Sequence, residues 1–369
     1  MHLPHRVRSY IRSLDRFPAY VYDLPGLASH ARTIRAALTT PELFYAAKAN
    51  PDTEILRTLA PHVDGFEVSS GGELAHVRAA VPDARLAFGG PGKTDEELAL
   101  ALDLGVDRVH VESPYELARL AELSGGRPVD VLLRANLPFQ PPGAVLSMSG
   151  PFGMDEDALA DCAALLADRP GLRLRGVHAH LASGLDAPAM LDLAKQITGW
   201  ALPWLEANGV ADPEVDLGGG MAVDYADPQA RFDWAAYDAG LPSGARLRVE
   251  PGRAVTAYHG WYVTDVLEVK TTRGETYAIL RGGTHHLRTP AAKGHDQPFA
   301  VLDARDGEPR PVTLVGQLCT PKDVLAAAVP APRLAPGDVV AFGMAGAYAW
   351  NISHHDFLMH PAPGFHHLR

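Results

Sequence analysis

Residues 43–59 read LFYAAKANPDTEILRTL. An apolar run meets Lys48 and Asn50, Pro51 ends it, and Asp52 is a start signal for a segment that puts Ile55, Leu56 and Leu59 on one helical face. This is one strand, one loop and one helix, and the same alternation continues outward to about residue 253. The candidate strands are Leu43 to Ala47, Asp64 to Val68, Arg85 to Phe88, Val106 to Val111, Val129 to Leu133, Leu174 to His178, Glu214 to Leu217 and Leu247 to Glu250. Candidate helices run from Asp52 to Leu59, Gly72 to Ala79, Thr94 to Ala101, Pro114 to Leu123, Asp155 to Leu166 and Pro188 to Ala207. So many strand–helix units in so short a stretch fit a (β/α)₈ TIM-type barrel better than an open sheet, which has fewer strands and longer crossovers. Past residue 255 the runs Trp261 to Val269, Thr276 to Leu280, Val312 to Leu318 and Val339 to Phe342 alternate apolar and polar residues between Gly- and Pro-rich turns. They predict a mostly antiparallel β domain, into which Ala19 to Tyr22 can pair back. The expected division is a barrel over 26–254 and a β domain from 1–25 and 255–369.

Composition narrows the function. The 33 Lys and Arg stand against 44 Asp and Glu, a net charge of −11, and no basic run offers a surface for nucleic acid. Cys162 and Cys319 are too few and too far apart for a disulfide framework. The N-terminus lacks the apolar centre of a signal peptide, and no stretch has the roughly 18 apolar residues of a membrane span. The expectation is a cytoplasmic protein acting on a small molecule.

In such a barrel the working groups lie at the carboxyl ends of strands. Lys48 ends the first strand; it is either a surface lysine or, if desolvated, an amine suited to attack a carbonyl. Gly218, Gly219 and Gly220 follow the seventh strand, as a plain turn or as a phosphate cradle. The eighth strand ends in Glu250-Pro251-Gly252-Arg253, a surface ion pair or a charged clamp. Strand alternation sends His178 and His180 to one face, yet no third ligand of suitable spacing for zinc is evident. Gly92-Lys93-Thr94 is not a P-loop, because Ala87 stands where the motif needs glycine. No metal is expected.

Together these segments resemble the fold type III pyridoxal-phosphate decarboxylases of the ornithine, arginine and diaminopimelate group, whose barrel is alanine racemase-like. The resemblance runs from Tyr20-Val21-Tyr22-Asp23 to Gly346-Ala347-Tyr348, with the intervening motifs in the family's order. It implies pyridoxal 5′-phosphate carried on Lys48, His180 stacked on its ring, and Ser183, Gly218 to Gly220, Arg253 and Tyr348 as phosphate ligands. Glu250 matches the acid that faces the pyridine nitrogen and keeps it protonated, so that the ring accepts the electron pair of a broken Cα bond. Racemases of similar fold place an arginine there. Cys319 matches a proton donor that the family supplies from the partner subunit of a homodimer, in place of the inert thiol that an isolated cysteine suggests.

Departures from the family bear on the substrate. Thr320 replaces the acid that follows this cysteine in diaminopimelate and ornithine decarboxylases, and Pro151-Phe152-Gly153 replaces the usual Lys-Phe-Gly. The segment Gly282 to Pro290, with His295, resembles the branch found in carboxylate siderophore assembly, where a citryl-diamino acid conjugate is decarboxylated. Arg288, His285, His286 and His295 are then candidates for binding substrate carboxylates, with Thr320 and Asp323 nearby in the motif; the alternative is that the histidines satisfy turns. Diaminopimelate, an aminoacyl group on a carrier protein, and a non-catalytic cofactor-binding role remain the competing readings.

Overall fold

The structure, a computed structural model, describes residues 1–148, 150–288, 296–305 and 307–369. Eight parallel strands close into a barrel: Glu42–Ala46, Gly65–Val68, Leu86–Phe88, Arg108–Val111, Val129–Arg134, Leu172–His178, Glu214–Asp216 and Arg246–Val249. The last strand pairs with the first through Arg248 opposite Glu42 and Val249 opposite Leu43, which closes the ring. Every expected barrel strand is present, displaced by two residues or fewer at its ends. Buried parallel strands give continuous apolar runs, and these are easy to read.

The helices begin where side chains can receive their first N–H groups. Asp52, Ser70, Thr94, Ser113, Asp155 and Asp186 each accept from the first turn, and Thr94 with Glu97 forms a reciprocal capping box. Helices beyond the expected set also appear, among them Leu24–Ala37 and Trp234–Gly240. The first opens with Pro25 and Gly26, which read as a turn in sequence but are tolerated in a first helical turn.

Strand direction places every carboxyl end on one rim. The other rim carries ion pairs: Arg108 to Glu214 at 2.6 and 2.8 Å, and Arg248 to Glu42 at 2.8 Å and to Asp107 at 3.2 Å. The Arg248 guanidinium also lies 4.0 Å from the Phe44 ring centre.

By contact the chain divides into residues 30–222 with 232–254, which hold the barrel, and residues 1–29, 223–231 and 255–369. The second unit is built on one sheet of eight strands, mostly antiparallel, whose spine is the long strand Gly260–Thr272. Ala19–Asp23 pairs antiparallel with that spine and parallel with Gly364–Leu368, so both chain ends join the sheet. An N-terminal helix, His5–Arg12, turns Val7 and Ile11 into a core with Val21, Trp261, Val263 and Leu302. Its alternating charges conceal the apolar face.

Candidate active site

The carboxyl rim gathers side chains from nearly every barrel strand. Lys48 sits in a 3₁₀ turn, Ala47–Ala49, directly after the first strand. Its Nζ donates to Glu67 Oε2 at 2.6 Å and lies 3.4 Å from Ser69 Oγ; Glu67 Oε1 accepts from Ser69 Oγ at 2.7 Å. Burial alone would raise the Glu67 carboxyl, but the Lys48 ammonium and its hydrogen bond outweigh this and hold it below the ordinary carboxylate range. The amine is 45% exposed while its partner is 4% exposed, so a buried counter-charge supports an accessible nitrogen.

Below it lies a polar floor. His178 stacks on His110 with ring centres 4.4 Å apart and planes 17° apart. His178 Nε2 is 3.3 Å from Glu250 Oε2, and His110 Nε2 lies 3.7 Å from Asp216 Oδ2 and 4.0 Å from Glu250 Oε1. All four groups are buried. Burial, then the neighbouring Glu67 charge, pushes Glu250 up to about 7; burial, then Glu250, pushes Asp216 well up. Burial and nearby cations hold both histidines well below their ordinary value, hence neutral.

The ligand atoms of His110, His178 and Glu250 all lie within 4.8 Å of one another, so the third partner absent from local spacing comes from distant strands. An ion must lie near the plane of each imidazole it binds, and nearly parallel stacked rings cannot both meet that condition. The trio suits proton sharing better than coordination.

Beside this floor, Gly218 and Gly220 take left-handed φ values of 67° and 110°, open to glycine at little cost. A Cβ on Gly219 would come within 2.5 Å of Glu250 O, and one on Gly220 within 2.3 Å of Ala182 O, so this turn must stay bare. His180 follows the sixth strand, its Nε2 3.5 Å from Ser183 Oγ and its Nδ1 without a hydrogen-bond partner; burial, then Lys48 and Arg134, lower it to about 3. Arg253 opens the short helix Arg253–Thr256 after the Glu250 segment.

The structure thus brings together Lys48, His180, Ser183, Gly218 to Gly220, Glu250 and Arg253 on one unit. It adds Glu67, His110, Asp216 and Arg134, whose guanidinium donates to Glu112 at 2.7 Å. All but Glu112 lie within the strands, as polar residues in apolar runs, and that was the available signal.

Tyr348, Cys319, Thr320, Asp323, His285, His286 and Arg288 belong to the other unit. Tyr348 holds a left-handed φ of 49°, and Cys319 is exposed. Asp323, expected near substrate, is instead buried: Oδ1 accepts from Thr284 N at 2.7 Å and Thr284 Oγ1 at 2.9 Å, and Oδ2 from Leu318 N at 2.8 Å. His286 is also engaged, its Nε2 3.0 Å from Pro361 O and its Nδ1 3.2 Å from Tyr262 Oη. Burial lowers His286 to about 3 and His285 to about 4, so neither brings a charge to an anion. Arg288 is exposed, its backbone N–H donating to Ser353 Oγ at 2.9 Å. His295 lies outside the described residues. Cys162 packs in the core, where burial pushes its thiol up to about 12.

An accessible amine on a buried carboxylate, next to a bare glycine turn and an acid held by imidazoles, is equipment for a phosphorylated carbonyl cofactor. Buried polar atoms without hydrogen-bond partners in the floor, Glu250 Oε1 and the His178 nitrogens among them, fit a cofactor that brings its own polar edge. Residues 25–257 match the family model described as pyridoxal-dependent decarboxylase, pyridoxal binding domain, and the chain belongs to this family. It is a pyridoxal-phosphate-dependent decarboxylase.

It is 40% identical to the 2-[(L-alanin-3-ylcarbamoyl)methyl]-2-hydroxybutanedioate decarboxylase of Staphylococcus aureus, over 95% of this chain and 93% of that one. Similarity to the L-glutamyl-[BtrI acyl-carrier protein] decarboxylase of Niallia circulans is 30%, over 94% and 87%, and to the diaminopimelate decarboxylase of Pseudomonas aeruginosa 32%, over 93% and 86%. The crystal structure of diaminopimelate decarboxylase from Helicobacter pylori complexed with L-lysine superposes with a TM-score of 0.89, at 24% identity, over 98% of this chain and 94% of that one.

Proposed function

We propose that this decarboxylase acts on an amino acid whose distal end is rich in carboxylates, a citryl-diamino acid conjugate of the kind built into carboxylate siderophores, in the cytoplasm. One observation carries the reading. The loop Gly316 to Asp323 contains a single acid, Asp323, and its two oxygens are spent on Thr284 and Leu318. What the loop exposes is Cys319, Pro321 and Lys322 beside a half-buried Thr320, which leaves no carboxylate there for a distal ammonium. The 40% identity to the staphylococcal enzyme supports the same direction.

Lys48 would carry the cofactor; Ser183, Gly218 to Gly220, Arg253 and Tyr348 would hold its phosphate, and Glu250 its ring nitrogen. When bound, pyridoxal phosphate supplies an electron sink for the pair left behind as the substrate carboxyl departs as CO₂. Glu67 holds a proton at Lys48 Nζ and is placed to accept it when the amine must be neutral. His180, neutral at working pH, presents an uncharged flat face to the site. Cys319 would return a proton to Cα, and we place it on the partner subunit of a homodimer. Arg288 is the candidate anchor for a distal carboxylate.

The test is CO₂ release from citryl-diaminopropionate, meso-diaminopimelate and a glutamyl-loaded carrier protein offered separately. Preferential turnover of the citryl conjugate is expected; turnover of diaminopimelate alone would refute the substrate assignment.

A further inference from the structure

The carboxyl rim holds a cation whose hydrogen-bonding capacity is mostly unspent. Arg134 ends the fifth barrel strand, Val129–Arg134, with 9% of its side chain exposed. Its Nη1 donates to Glu112 Oε1 at 2.7 Å, and its guanidinium carbon lies 5.1 Å from the Phe152 ring centre. Among the described residues its Nε and Nη2 have no hydrogen-bond partner, and neither atom is fully enclosed. Arg108, similarly buried at the other rim, spends all three of its nitrogens on Asp107, Asp130 and Glu214.

The neighbours show that the fold alone does not need this cation. Glu112 is shared: Oε1 also accepts from Gly90 N at 2.9 Å and Oε2 from Gly153 N at 3.0 Å, so its charge is spread over three donors. The turn Pro151-Phe152-Gly153 is fastened through backbone as well, Met154 N donating to Arg134 O and Asn136 N to Met154 O, both at 2.8 Å. A Cβ on Gly153 would come within 2.8 Å of Arg134 O, so the turn already lies against the strand end. The strand register sets Arg134 opposite His178. Burial, then the Arg134 charge, lowers His178; burial, then Lys48 and Arg134, lower His180. A guanidinium held at one corner thus stands among the imidazoles of the site with donors to spare.

An open arginine fork matches an oxyanion. The carboxylate that leaves as CO₂ is the wrong ligand, because an ion pair would stabilise a charge that the transition state is losing and so slow the reaction. We propose that Arg134 binds an oxyanion that keeps its charge through the reaction, brought by the cofactor's ring hydroxyl or by a second carboxylate of the substrate, with Glu112 as the positioning residue that aims it. The carboxylate source rests on the proposed substrate class; the cofactor source does not.

Two binding measurements separate the sources. One follows the release of pyridoxal phosphate, and of its analogue without the ring hydroxyl, from the holoenzyme by tryptophan fluorescence. The other titrates the holoenzyme with citrate by calorimetry. Arg134→Gln removes the fork. If the cofactor brings the oxyanion, this variant holds pyridoxal phosphate about tenfold more weakly and the analogue as the native protein does. If the substrate brings it, citrate binds about tenfold more weakly while both cofactors are held normally. Arg134→Lys keeps a cation against Glu112 and should give the same pattern at smaller size, which covers a glutamine variant that folds poorly. Glu112→Gln should reproduce the selective loss in part, and native binding there would remove its positioning role. An equal loss for both cofactors, or native behaviour of Arg134→Gln in both measurements, overturns the proposal. If citrate does not bind the native holoenzyme, the carboxylate source is refuted and the cofactor comparison alone decides the role of Arg134.

Discussion

At the scale of single residues, the site works through charges placed where water cannot reach. Glu250 gives a measurable consequence in the cofactor-free chain. Its carboxyl is raised from an ordinary value of 4.5 to about 7, so the folded state binds a proton more tightly than the unfolded chain does. Stability linked to this group is therefore full below about pH 4.5 and is lost as pH rises toward 7. Glu250→Gln removes that loss, and the variant should gain roughly 3 kcal/mol relative to the native chain between about pH 5 and pH 8. Urea unfolding at the two pH values checks this. A constant difference would mean that Glu250 titrates normally. Lys48 and Glu250 were legible in the sequence because each ends an apolar run. Glu67, His110 and Asp216 were not, because a polar residue within a strand reads as an interruption until distant strands supply its partner.

Elements show the same limit. The barrel strands were legible as buried runs, whereas Phe299–Val301, Val324–Ala331 and Gly364–Leu368 were missed. All three lie at edges of the sheet, where alternation is least enforced, and Pro330 opposite Pro311 is tolerated at such an edge. The loops were harder still. Asp323 clamps the Gly282 to Leu287 loop to the Cys319 loop through three hydrogen bonds, and the Gln317 side chain accepts from Gly282 N at 2.7 Å. A Cβ on Gly283 or Gly316 would overlap the Asp323 carboxylate, so both positions must stay bare for the clamp to form. Asp323→Asn keeps the shape but turns one acceptor into a donor facing a buried N–H. It should cost about 2 kcal/mol in unfolding free energy while leaving the visible absorbance of the bound cofactor intact. Native stability in this variant would show that the clamp contributes nothing net.

For the whole molecule, the two rims of the barrel divide the work. At the amino rim Arg108 and Arg248 meet acids at hydrogen-bonding distance and tie strands together, with Arg248 Nη1 left over. At the carboxyl rim polar atoms are left without partners, which is where a ligand can be bound and chemistry done. The net charge of −11 describes neither rim. The proposed homodimer adds the last test at this scale. If Cys319 of one subunit serves the barrel of its partner, a Lys48→Ala chain and a Cys319→Ala chain are each defective in a different half of the same composite site. Mixed and allowed to exchange in equal amounts, they form heterodimers in about half of all pairs. Each heterodimer combines one site carrying both defects with one carrying neither. Correctly protonated product should therefore reappear at about a quarter of the native rate, although neither variant alone makes it. No recovery, with exchange verified by mass, would place Cys319 and Lys48 of each site on the same chain.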